Sequence, residues 1–176
     1  TGEWIQQNHS VEPLNSYYYL IFGMYYGHLA QVWPEYLSQS ETSFQKVIEL
    51  APQKAETYWQ WGNIYGRIGK IDQAQLKYSQ ALELEPSNKF INYQVGKWYL
   101  AEKSDLSQGY TLIQKALELG YMPKLSDVKL VTQFLEEQGQ LKQVEQIYQT
   151  LIAHGADYFD QDLTQTELAE FSKRHN

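Results

Sequence analysis

The sequence predicts an all-α chain of about four antiparallel helical hairpins closed by a C-terminal capping helix, and three observations carry that expectation. Apolar and small residues recur three and four positions apart in two consecutive blocks over residues 55–86, the spacing that amphipathic helices require. The first block is echoed 34 residues later, where Gly96 follows Gly62 with Asn92, Val95 and Tyr99 in register around it. Gly and Pro fall between the blocks, at Gly69, Pro86 and Gly139, where a helix has to stop and the chain has to turn.

The clearest hairpin is the segment AETYWQWGNIYGRIGKIDQAQLKYSQALELEP at 55–86. Its first block carries Tyr58, Trp61, Gly62 and Tyr65, its second Ala74, Tyr78 and Ala81, and Pro86 closes it. Gly62 and Ala74 let two helices approach closely, the rings fill the space between them, and Pro86 ends the second helix. This pattern resembles the tetratricopeptide repeat, W-x2-L-G-x2-Y, then A-x3-F, then Pro, in a 34-residue unit. Tyr58 stands at its Trp, Trp61 at its Leu, Tyr78 at its Phe, and Gly62, Tyr65, Ala74 and Pro86 at the matching residues. The resemblance implies a right-handed superhelical solenoid of helix pairs.

The neighbouring copies follow by spacing. Pro13 lies three residues before Ser16 as Pro52 lies three before Ala55, and Tyr19, Phe22, Gly23 and Tyr26 repeat the first-helix pattern. Gly23 to Gly62 is 39 residues, so this hairpin carries five extra residues around Val32, Trp33 and Pro34, and its second helix is expected to restart at Pro34. The third copy has one extra residue in its turn before Gly109, Ile113 and Ala116, and the fourth runs through Val128, Val131, Thr132, Leu135, Gly139, Val144, Tyr148 and Leu151. The expected organisation is an N-terminal arm at 1–12 with Trp4 and Ile5, hairpins within 13–156 (16–54, 55–88, 89–124 and 125–156), and an acidic loop with a capping helix at 157–176. Gly155 is expected to cap the last hairpin, and Thr164 with Glu167 has the spacing of a capping box. Leu163, Leu168 and Phe171 would cover the open end, with Glu167, Glu170 and Lys173 toward water.

Composition narrows the function. Lys and Arg number 14 against 21 Asp and Glu, for a formal charge of −7, the wrong sign for a surface that neutralises phosphates, so no nucleic-acid partner is expected. There is no Cys, which removes disulfides and thiolate metal sites and leaves both cytoplasm and periplasm open. No apolar run approaches the roughly 20 residues of a spanning helix; the longest candidate, 17–26, contains Gly23 and several Tyr. A soluble fragment without membrane insertion is the expectation, and the start at Thr1 suggests a piece of a longer protein.

The resemblance also implies which residues line the inner side of the first helices. These are Tyr17, Leu20, Met24 and His28; Glu56, Trp59, Asn63 and Arg67; Phe90, Tyr93, Lys97 and Ala101; and Ser126, Lys129, Gln133 and Glu137. The expected partner-binding groove takes Tyr17, Leu20, Met24, Trp59, Asn63, Arg67, Phe90, Tyr93 and Lys97 from that set. Trp59 and Tyr93 serve as apolar anchors, with Asn63, Arg67 and Lys97 holding backbone or carboxylate groups. One subgroup of the family grips the acidic tails of chaperones through Lys, Asn and Arg. Its positions are occupied here by Leu20, Met24, Gln60, Phe90 and Gln94, and registering it one hairpin later recovers only Asn63.

Chemistry beyond binding has little support. His9, His28, His154 and His175 are scattered, and no zinc, nucleophile-elbow or phosphate-loop motif is present. Asp157, Asp160 and Asp162 lack the spacing and turn glycine of a calcium loop. The expectation is therefore a protein or peptide scaffold, with no catalytic residue, metal or cofactor. Two alternatives stand beside it. One is a module of a larger bacterial membrane or surface-polysaccharide assembly protein, since the chain is similar in texture to the repeat-containing soluble tails of polysaccharide ligases and polymerases. The other is a homo-oligomer contact through the aromatic residues of 17–26.

Overall fold

The computed structural model describes residues 16–102, 105–154 and 161–175. The arm at 1–12, Gly155 and the loop with Asp157 and Asp160 lie outside the described residues. Among the described residues there are nine α-helices and no strand: α1 Ser16–Ala30, α2 Leu37–Leu50, α3 Ala55–Arg67, α4 Ile71–Leu84, α5 Lys89–Ala101, α6 Leu106–Glu118, α7 Leu125–Glu137, α8 Leu141–His154 and α9 Gln161–His175. Neighbours pack in pairs, α1 on α2, α3 on α4, α5 on α6 and α7 on α8. The chain divides into two compact units, Thr1–Pro86 and Ser87–Asn176.

In the first unit the small residues decide how closely helices approach. A Cβ on Gly23 would stand 3.0 Å from the Phe44 ring, one on Gly27 2.5 Å from Ile64, and one on Gly62 2.7 Å from the Tyr78 ring. Phe44 in turn stacks on Trp61 with centroids 5.5 Å apart, and the Lys77 ammonium covers Trp61 at 3.9 Å from its centroid. Burial also holds the Lys77 ammonium below its ordinary pKa. Phe44, Ala74, Tyr78 and Ala81 are buried, and each large side chain so placed contributes roughly 1.5–3 kcal/mol by leaving water. The buried Ser40 hydroxyl is satisfied by donating to the Gly23 carbonyl at 2.7 Å. Where the second helix was expected to restart at Pro34, a 3-10 turn spans Pro34–Tyr36 and the α-helix begins at Leu37. Tyr36 stacks on Tyr26 at 6.0 Å, which ties that turn back to α1.

In α1 the buried row is Leu20, Gly23, Gly27 and Ala30, while Tyr17, Tyr18, Ile21 and Tyr25 remain exposed. The helix is apolar on more than one side, unlike the one-striped surface helix of a globular domain.

In the second unit α5 and α6 meet almost backbone to backbone, since a Cβ on Gly96 would lie 2.8 Å from the Gly109 carbonyl oxygen. Asn88 and Asp105 cap these two helices by accepting the backbone N–H of Ile91 and of Gln108. α6 also packs on α8, α5 on α7, and α9 on α8. The turn after α7 closes at Gly139, whose φ of +72° is the left-handed conformation glycine adopts without strain. Gln140 N–H then reaches the Leu135 carbonyl at 2.8 Å. The capping-helix side chains divide: Phe171 is buried with Leu168 packed on the same core, and Glu170 and Lys173 are exposed. Glu167, expected toward water, pairs with Lys129 at 2.6 Å and is only 16 % exposed, because the Lys129 stem on α7 places its ammonium beside α9. α9 begins at Gln161, three residues before Thr164, so Thr164 lies inside the helix and not at its N-cap.

Candidate functional site

A cleft of about 460 Å³ opens in the second unit between the first helices of its two hairpins, α5 and α7. Leu100 and Val131, 3 % and 4 % exposed, form its apolar floor. Phe134 and Leu130 continue that surface outward along α7, and Leu130 is 66 % exposed. These two recur on one face with Ser126, Gln133 and Glu137 because residues three and four apart share a helix side.

The rim is polar and tied down. Lys97 Nζ lies 3.2 Å from Asp127 Oδ1 and 5.7 Å from the centre of the Tyr93 ring. Gln133 Nε2 donates to Glu137 Oε1 at 3.2 Å. An ammonium thus sits at one place on the rim and a carboxylate at another, around an apolar floor. Such a surface can seat aliphatic or aromatic side chains and orient the polar atoms beside them. Lys97, Ala101, Gln133 and Glu137, four positions implied for the inner side of the first helices, all border this cleft.

The remaining expected groove residues are placed unevenly. Tyr17 is 58 % and Phe90 41 % exposed; Met24, Trp59 and Asn63 are half-buried and Arg67 is exposed. Leu20 and Tyr93 correct the expectation of accessible side chains at those positions, for they are 2 % and 1 % exposed. Leu20 falls on the small-residue row of α1 that faces inward with Gly23 and Gly27. Tyr93 lies beneath Tyr121, ring centroids 4.6 Å apart, and burial with the nearby Asp127 carboxylate raises its hydroxyl pKa well above the ordinary tyrosine range. Leu130 and Phe134 were absent from the expected groove. Their signal was nonetheless present: Leu130 is an apolar residue on the face of α7 that otherwise reads Ser126, Lys129, Gln133, Glu137.

In the first unit the polar groups of the same expected set meet at a different place. Arg67 Nη1 lies 3.4 Å from His28 Nδ1, which Gln31 Nε2 also approaches at 3.1 Å. Asn63, one turn before Arg67, accepts the Tyr78 hydroxyl at 2.8 Å on its Oδ1. Among the described residues no group of three His, Asp or Glu side chains is arranged to hold a metal ion. No helix among them is long and apolar enough to cross a membrane. No protein-family model matches the chain, and no curated protein does.

Proposed function

We propose that this chain is a tetratricopeptide-type module that binds a protein or peptide, seating one or two apolar side chains of its partner in the cleft between α5 and α7. The right-handed solenoid implied by the repeat pattern is part of the proposal. The observation that carries it is Leu130, 66 % exposed beside a floor made by buried Leu100 and Val131. A large aliphatic side chain held against water at the mouth of an apolar cleft gains most when a partner covers it. The cleft also falls within the roughly 300–1,000 Å³ of surface sites that enclose small groups.

The test compares the natural chain with Leu130→Asp. Partners captured from the source organism are purified, and their affinities for both proteins are measured by calorimetry. Weakening of at least about tenfold in the variant, with unchanged helicity, supports the cleft. Equal affinities overturn it. The exposed rings Tyr17, Tyr18 and Tyr25 on α1 favour a second function, contact between copies of this chain. Light scattering over a concentration series decides that question, since a constant monomer mass rejects it.

A further inference from the structure

The first helix of the chain, Ser16–Ala30, holds no Asp, Glu, Lys or Arg. One side of it is used up inside the first unit, where Gly23 meets Phe44 and Gly27 meets Ile64. Ile21, Tyr25 and Leu29, four apart, run along the opposite side. Ile21 is 42 % and Tyr25 51 % exposed, and in the turn that follows Val32 is 68 % and Trp33 50 % exposed. A helix that has already buried one side thus keeps a second apolar stripe against water. Tyr36, stacked on Tyr26, ties the turn to α1 and presents Val32 and Trp33 at a fixed place. The backbone of that turn carries no free donor. Gln31 N–H is bonded to the His28 carbonyl at 3.3 Å, Val32 and Trp33 N–H to the Leu29 carbonyl at 3.0 and 2.8 Å, and Pro34 has no N–H. Covering this corner with apolar material therefore strands no amide proton between Gln31 and Pro34.

We infer that α1 and the turn after it form a membrane-surface contact, in which Ile21, Tyr25, Val32 and Trp33 enter the headgroup level of an electrically neutral lipid bilayer. Tyr and Trp carry an apolar ring with a polar tip, and such rings settle where hydrocarbon meets water. The 15 residues of α1, at about 1.5 Å each, fall short of the roughly 30 Å of a hydrocarbon core, so the helix lies along the surface and does not span it. Charge selects the lipid. Glu35, exposed two residues beyond Trp33, and Arg67, beside His28, carry opposite charges near the stripe, and the chain is −7 overall. Anionic headgroups therefore add no attraction, and the contact rests on apolar burial. A second copy of the chain is the rival occupant of this face. It would bring a like charge of −7, and a stable protein interface takes about 800 Å² and roughly 20–30 residues from each partner. The stripe of Ile21, Tyr25, Leu29, Val32 and Trp33 is far short of that. A bilayer demands no matching shape, and each inserted side chain contributes on its own. The contact is separate from the cleft between α5 and α7 and does not rest on it.

The experiment mixes the chain with vesicles of phosphatidylcholine, and with vesicles of phosphatidylcholine and phosphatidylglycerol in equal parts, and measures the bound fraction by sedimentation. The expected result is binding to phosphatidylcholine that salt leaves unchanged and that the anionic lipid does not strengthen. Val32→Asp and Tyr25→Ser, each checked for unchanged helicity, weaken that binding at least about tenfold. Brominated phosphatidylcholine quenches more fluorescence in the natural chain than in Trp33→Phe, which still binds. Leu130→Asp, at the mouth of the cleft, binds vesicles as the natural chain does. Failure of the natural chain to bind phosphatidylcholine overturns the contact, as does binding confined to the anionic vesicles. Undiminished binding by both Val32→Asp and Tyr25→Ser also overturns it. A mass that rises with concentration in lipid-free light scattering, and that Val32→Asp returns to the monomer, gives the stripe to a second copy and overturns the lipid contact. All of these outcomes leave the cleft standing, since its own test is the partner affinity of Leu130→Asp.

Discussion

Gly96 on α5 lies so close to α6 that a Cβ added to it would stand 2.8 Å from the carbonyl oxygen of Gly109. The obstacle is backbone, which cannot rotate aside as a side chain can. Gly96→Ala is therefore expected to destabilise the chain by about 1–3 kcal/mol despite the better helix propensity of Ala. Urea unfolding followed by far-ultraviolet circular dichroism measures this, and an unchanged midpoint counts against so close a crossing.

Tyr65 on α3 donates its hydroxyl to Glu41 Oε1 on α2 at 2.7 Å, linking two consecutive hairpins of the first unit. Tyr65→Phe keeps the ring in its packing place and removes only that bond, so a loss of about 1 kcal/mol is expected. Glu41→Gln, which keeps an acceptor oxygen, should cost less. The two variants are compared in the same unfolding assay.

The Tyr93 hydroxyl is buried and has no hydrogen-bond partner among the described residues. Tyr93→Phe is accordingly expected to leave stability unchanged or to raise it by up to about 1 kcal/mol, because the variant buries no unsatisfied hydroxyl. A loss larger than that would show that the hydroxyl is satisfied in solution.

Alkaline pH provides a separate test. Burial is the first cause of the raised pKa at both Tyr65 and Tyr93, which lie above the ordinary tyrosine value of about 10. The unfolded chain releases these protons more readily than the folded one. The stability they contribute is fully present below about pH 10 and falls as pH rises above it toward the folded pKa values. Absorbance near 295 nm should show the exposed tyrosines ionising first, with the buried ones following as helicity is lost. Tyr93→Phe should shallow the decline.

At the C-terminal helix the ion pairs and the ring make unequal contributions. Lys129 with Glu167 and Arg174 with Glu136 lie at 2.6 and 3.1 Å, but the cations are 52 % and 51 % exposed, so water screens both pairs and each adds little to stability. Phe171 is 5 % exposed and packs near Tyr148 and His175. Phe171→Ala should strip hydrogen-exchange protection from α9, whereas Glu167→Gln should change it little.

The legible part of the fold was the part written locally. Gly62, Trp61, Tyr65, Ala74 and Tyr78 are buried where the repeat spacing put them, because close helix approach within a hairpin demands small and large residues at fixed offsets. The candidate site was less legible because accessibility depends on groups outside the spacing. Tyr93 is covered by Tyr121, a residue of the connection after α6 that has no place in the repeat pattern. Leu20 turned inward because the small residues of α1, and not its largest rings, mark the side that packs. His28 and Arg67 are 39 residues apart, and no single-helix pattern announces that they meet.

The pairing of each helix with its sequence neighbour also bears on how the protein is made. α2 is the main packing surface of α1, as α4 is of α3 and α6 of α5, so the loops that must close are short and the folding nucleus need not await distant chain. A hairpin can therefore assemble as it emerges from the ribosome, closing Tyr78 onto Gly62 while later codons are still being read. Synthesis that pauses after the first pair leaves one face of Phe44 uncovered until Trp61 arrives to stack on it.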